Sequence, residues 1–146
     1  MFAEDDPRRT LSLSSLDPRI HFALVCGAKS CPPVRLFRAD SVLSDLATCS
    51  KNFVQQEVVV DVDAATVTVS RLFLWYGCDF KEAASVDDTE MVSLLPHEYA
   101  WLHWIARHFM GSEHREALLR VLTPTNAGKT GVVKFADYDW RLNGKS

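Results

Sequence analysis

Glu57-Val58-Val59-Val60-Asp61-Val62-Asp63-Ala64-Ala65-Thr66-Val67-Thr68-Val69-Ser70 sets two valine-rich runs on either side of an Asp-Ala-Ala break. That is the pattern of a β-hairpin, with Val67 and Val69 sharing one face of its second strand. Upstream, Val42, Leu46, Cys49 and Phe53 recur at spacings of three and four, which predicts a helix from a cap at Asp40 or Ser41 to about residue 55. Downstream, Ser70 is placed to cap a short helix over 71–76, with Leu72, Phe73, Trp75 and Tyr76 as core anchors and Gly77 as its stop. Helix and hairpin side by side already favour an α+β arrangement.

The same reading extends to both ends. Pro96 suits a first helical turn, and Tyr99, Leu102, Ile105, Ala106 and Phe109 follow at helical spacing until Gly111. Ser112 then caps a helix whose apolar side is Ala117, Leu118, Val121 and Leu122, ending before Pro124. After a polar loop, residues 131–135 read as a closing strand that runs into Tyr138-Asp139-Trp140-Arg141-Leu142-Asn143. Towards the N-terminus, Leu11 and Leu13 suggest a short edge strand. Residues 19–26 suggest a buried central strand, with Ile20, Phe22 and Leu24 on one face and His21, Ala23 and Val25 on the other. No repeat, linker or low-complexity tract divides the chain. The expectation is a single α+β domain over residues 1–146, with a mixed or antiparallel sheet and packed helices.

Composition narrows the function classes. The chain has 146 residues, 47% of them apolar, enough for one ordinary core. Its net charge of −3 and pI near 5.9 argue against a general nucleic-acid-binding surface, so no nucleic-acid partner is expected. No apolar run approaches the ~20 residues that cross a bilayer, so no membrane partner is expected either. Four cysteines are too few for a disulfide scaffold, and the acidic opening Glu4-Asp5-Asp6 lacks the features of a signal peptide. A reducing, cytoplasmic setting is the expectation.

Two motifs fail on spacing. Asn126-Ala127-Gly128-Lys129-Thr130 ends like a phosphate-binding loop, but Thr123 stands where its first glycine belongs, and the segment opens a strand instead of a helix. His97-Glu98 begins like a zinc-protease helix, yet Trp101 occupies the position of the second histidine. His103, His108 and His114 lie five and six residues apart, which does not set two imidazoles on one helical face, so no metal and no cofactor is expected. Trp101 and Trp104 fit packing against the sheet better than a ligand platform.

The segment His21-Phe22-Ala23-Leu24-Val25-Cys26-Gly27-Ala28-Lys29-Ser30-Cys31-Pro32-Pro33 differs in kind. It gathers an imidazole, a thiol, a glycine turn that permits unusual dihedrals, and a second thiol five positions later. Sulfurs enclosing so short a loop can bridge if their α-carbons come within about 7 Å. A thiol with lowered pKa there becomes a nucleophile or redox sensor. Candidate site residues are therefore His21 as base or orienting group and Cys26 and Cys31 as nucleophiles, with Asp139 as a distant carboxylate. Against this stands the bland reading of a core histidine, a small buried hydrophobe and a structural turn. Cys49 and Cys78 fall on or after helices and form no local pair.

The same residues carry a resemblance. Asp6-Pro7-Arg8, the run from Asp17-Pro18-Arg19 to Leu24, and Cys26-Gly27-Ala28-Lys29-Ser30-Cys31-Pro32 resemble the core signature of the domain of unknown function catalogued as number 547. Trp75-Tyr76 with Asp79-Phe80, and the terminal Tyr138-Asp139-Trp140-Arg141-Leu142-Asn143, resemble its later motifs in order. The resemblance implies no agreed substrate. It implies a setting in multidomain proteins, some with leucine-zipper, DEP or glutaredoxin-like neighbours, and an upstream helical half to which nothing in residues 1–9 corresponds. The chain is accordingly expected to be the C-terminal portion of a larger domain, with an apolar face left open near Phe22 or Trp101. Its expected role is an accessory or protein-interaction module acting on a neighbouring domain or protein partner. The alternative is a cysteine-dependent enzyme, either a thiol–disulfide oxidoreductase or a Cys/His hydrolase.

Overall fold

The computed structural model describes residues 3, 5–11, 15–87, 99–124 and 129–144. The expectations attached to Leu13, to the Pro96 helix start, to His97-Glu98 and to 125–128 lie outside those residues. Two 3-10 turns, Pro7–Leu11 and Pro18–Phe22, come first. They are followed by α1 (Val42–Glu57), β1 (Val58–Asp61), β2 (Thr66–Val69), α2 (Leu72–Trp75), α3 (Gly77–Asp87), α4 (Ala100–Phe109), α5 (Ser112–Leu122) and β3 (Val132–Phe135). The sheet is mixed, in the order β1-β2-β3: β1 and β2 form the antiparallel hairpin, and β3 lies parallel to β2. The molecule is an α+β domain, and among the described residues no helix is long and apolar enough to cross a membrane.

The core follows from the helical and strand periodicities. Leu46, Cys49 and Phe53 of α1, Val67 and Val69 of β2, Leu102, Ile105, Ala106 and Phe109 of α4, and Leu118, Val121 and Leu122 of α5 are all buried. Five phenylalanines meet at its centre. Phe22 stacks on Phe53 and Phe80 and meets Phe73 and Phe109 edge-on, with ring centroids 4.8–6.4 Å apart. The parallel β2–β3 pairing depends on Gly131, where a β-carbon would fall 2.7 Å from the Val121 carbonyl oxygen and 2.8 Å from that of Ala65. Those same carbonyls accept the N–H groups of Gly131 and Val132. Only a residue without a side chain lets the backbones approach so closely.

Several expectations are corrected. Residues 19–26 are not a central strand. The Asp17 carboxylate accepts the Arg19 N–H, Pro18 takes the first helical position, and the chain closes into a 3-10 turn. That turn sends Phe22 inward and leaves Leu24 and Val25 exposed. The same capping device shapes Asp6-Pro7-Arg8, and the resulting turn Pro7–Leu11 takes in Leu11, the one described leucine of the expected edge strand. Gly77 does not stop a helix but opens α3, which buries Phe80. Trp75 and Tyr76 are not core anchors; each is exposed by about two-fifths, Trp75 at 43% and Tyr76 at 40%. Phe22 and Trp101 themselves are buried; the exposed apolar side chains include Leu24, Trp75, Trp140 and Leu142.

Candidate functional site

Each of the three candidate residues is set by a local device. His21 precedes Phe22 in the Pro18–Phe22 turn, and the turn that buries Phe22 faces His21 toward the α2–α3 junction. There the Asp79 N–H bonds the Tyr76 carbonyl, which aligns the two side chains. The His21 ring stacks on Tyr76 at 3.9 Å and 14°, and its Nε2 lies 2.7 Å from Asp79 Oδ2. A carboxylate acceptor places the proton on Nε2 and leaves Nδ1 with a lone pair in the neutral ring. That Nδ1 is buried and has no hydrogen-bond partner among the described residues.

The thiol loop is shaped from outside. Gly27 adopts φ +83°, the left-handed region open to glycine at little cost, so the chain can double back between Cys26 and Cys31. The C-terminal segment clamps the loop along its length. The Lys29 N–H donates to the Arg141 carbonyl at 2.9 Å, the Asn143 N–H to the Gly27 carbonyl at 2.8 Å, and the Asp139 N–H to Ser30 Oγ at 2.9 Å; Ala28 and Leu142 form an antiparallel bridge. Two motifs more than a hundred residues apart thus build one structure.

At its centre the Cys26 and Cys31 sulfurs lie 2.8 Å apart, both as free thiols. The Cys26 N–H donates to the Cys31 sulfur at 3.1 Å, and the Tyr138 hydroxyl stands 3.2 Å from Cys31 Sγ and 3.6 Å from Cys26 Sγ. Burial pushes the Cys31 thiol up. Hydrogen bonds from the Cys26 and Tyr138 side chains and from the backbone of Cys26 and Ala28 outweigh it and bring Cys31 down to about 7 from 9.0. Tyr138 moves the other way, raised by burial and by its bonds to the two sulfurs, so its hydroxyl stays a donor across the working range.

His21, Cys26, Cys31, Trp75, Tyr138 and Trp140 border one cavity of about 570 Å³. A cavity of about 660 Å³ lies beside Asp17, Arg19, Trp104 and His108, but it holds no thiol, and its Asp17 and Arg19 are joined at 2.6 Å. All three candidate residues border the smaller one. Asp139 is not the carboxylate of the site. The Arg141 side chain and N–H hold it, lowering it to about 2, and Asp79 is the acid on His21. Sequence reasoning missed the roles of Asp79, Tyr76 and Tyr138 because their partners are remote in the chain. Cys49 is buried in the core and Cys78 is exposed on α3, away from the pair. Among the described residues no three His, Cys, Asp or Glu side chains gather closely enough to hold a metal ion. Two thiolates on one tetrahedral zinc, with bonds of about 2.3 Å, would stand roughly 3.8 Å apart, farther than these sulfurs do.

A profile of the family described as "Protein of unknown function, DUF547" matches residues 1–54, in agreement with the resemblance carried by Asp17-Pro18-Arg19 and the thiol loop. The matched stretch includes His21, Cys26 and Cys31, whereas Asp79 and Tyr138 lie beyond it. No curated protein and no solved structure matches the chain.

Proposed function

We propose that this chain carries a dithiol–disulfide exchange site, with Cys31 as the attacking thiolate and Cys26 as the resolving thiol. One observation carries the reading: two free sulfurs in contact beneath the Tyr138 hydroxyl, at the edge of a cleft. The Cys31 thiolate attacks one sulfur of a substrate disulfide; that S–S bond breaks, and the first substrate sulfur leaves as a thiolate. The Cys26 proton passes to the departing sulfur, and the Cys26 thiolate then attacks Cys31, releasing the second substrate sulfur as a thiolate that takes a proton from solvent. The protein ends with a Cys26–Cys31 disulfide, and the substrate disulfide is reduced to two thiols by the two electrons transferred. A thiol near pH 7 suits the attacking role, because nucleophilicity falls as the pKa drops further below ambient pH. His21, ordered by Asp79 and Tyr76, shapes the cleft wall. A cytoplasmic setting belongs to this reading, since the glutathione pool there would return the pair to dithiol.

The reading as an accessory or interaction module draws on a different observation, the exposed Leu24, Trp75 and Trp140 around the cleft, which suit a protein partner or neighbouring domain. The two separate cleanly, because an interaction module keeps its partner when both cysteines are replaced by serine. For the exchange site, iodoacetamide at pH 7 should modify Cys31 about fivefold faster than an unperturbed thiol, located by peptide mass mapping. Modification of Cys31 no faster than a free cysteine would remove the nucleophile, and a stable acyl adduct on Cys31 from an activated ester would favour hydrolysis instead.

A further inference from the structure

We infer that the cleft selects peptide disulfides flanked by apolar, above all aromatic, side chains over anionic disulfides such as oxidised glutathione; this rests on the exchange site proposed above. The wall beside the sulfurs is aromatic. Trp75, Tyr138 and Trp140 pack on one another with ring centroids 4.6–5.7 Å apart, and Leu24 and Val25 complete the rim. Rings so close leave no room between them for a cation, so they present a continuous apolar surface instead of a cage. Trp140 remains 67% exposed and Leu24 63%, a surface that gains by being covered.

Charge points the same way. Among the described residues no lysine, arginine, aspartate or glutamate borders the cavity. Outside the lining, Asp79 is engaged with His21 and Asp139 with Arg141, and the exposed Lys29 of the thiol loop lies in the field of Asp139. A substrate carboxylate entering this cleft would lose its hydration without gaining a cation, and would face the Cys31 thiolate. A neutral aromatic side chain next to the substrate cysteine meets neither cost and covers the tryptophan faces. A cavity of about 570 Å³ is of the size that holds a short peptide segment, not a whole domain.

The test follows loss of thiols in the fully reduced protein by stopped flow, with three oxidants. These are the homodimeric disulfides of acetyl-Phe-Cys-Phe-amide and acetyl-Glu-Cys-Glu-amide, and glutathione disulfide. Each rate is divided by that of free N-acetylcysteine with the same oxidant, so that intrinsic disulfide reactivity cancels. The phenylalanine disulfide should be favoured about tenfold or more over both anionic ones. Trp140→Ala, on an exposed side chain whose loss leaves the core intact, should bring the ratio towards one. Leu24→Lys should raise the rate with glutathione disulfide. Equal or reversed normalised rates, or a ratio unmoved by Trp140→Ala, would overturn the selectivity while leaving exchange chemistry standing. Failure to react with any of the three would instead overturn the exchange site itself.

Discussion

Phe73 and Trp75 stand two positions apart on one short helix, yet they belong to opposite kinds of aromatic cluster. Phe73 is sealed among Phe22, Phe53, Phe80 and Trp101. Trp75 faces outward to Tyr138 and Trp140 over the thiol loop. Ring spacing is similar in the two, with centroids 5.3–6.1 Å from Phe73 and 4.9–5.7 Å from Trp75, so aromatic packing alone does not say what a cluster is for. Exposure and neighbours do: one cluster is sealed in the core, with the His21 ring 5.8 Å from Phe80 at its edge, whereas the other is partly exposed beside two sulfurs.

The sharpest way to break that contrast is truncation. Phe73→Ala should cost about 3–5 kcal/mol in urea unfolding, whereas Trp75→Ala should cost no more than about 1 kcal/mol. Comparable losses would mean the outer cluster is a second core. Next come the two special glycines, which separate fold from site. Gly131→Ala places a β-carbon within 2.8 Å of backbone oxygens and should cost about 1–3 kcal/mol, with Cys31 reactivity unchanged in the folded fraction. Gly27→Ala meets no atom within 4 Å but keeps a left-handed φ, so it should cost about 1–2 kcal/mol and slow Cys31 alkylation.

The smallest effect is in pH dependence. Cys31 alkylation should titrate with a midpoint of about 7, and Tyr138→Phe, which keeps the ring and removes the donor, should raise that midpoint. The sign for stability follows. Cys31 is depressed in the folded state, so the unfolded chain binds more protons between about 7 and 9.0. Its contribution is full above 9.0 and lost as pH falls through 7. Solvent around the partly exposed sulfur holds it to about a few tenths of a kcal/mol. A wild-type midpoint at the ordinary thiol value, checked beside Cys26→Ser, would contradict the assigned hydrogen bonds.

Much of the fold was legible because α1, α4, α5 and the hairpin advertise their periods in valines, leucines and phenylalanines. Residues 19–26 misled because alternation with two apolar faces mimics a buried strand, while the stronger signal, Asp17 capping ahead of Pro18, is a turn device. In α3, Phe80 is the lone large apolar anchor, too little period to announce a helix after a glycine. At the site, the thiol loop and His21 were visible because they are local. Asp79 and Tyr138 stood out only as parts of the motifs that carry the resemblance, and their roles did not, since these arise from contacts spanning 58 and 107 residues, which no spacing rule encodes.

The central claim is that Cys26 and Cys31 interconvert between dithiol and disulfide, and a redox titration against glutathione with mass mapping of the oxidised peptides tests it most directly. The account predicts a reversible intrachain Cys26–Cys31 disulfide with a midpoint within about −220 to −320 mV. Both cysteines remaining separately alkylatable across that range, or oxidising only through other partners, would contradict it.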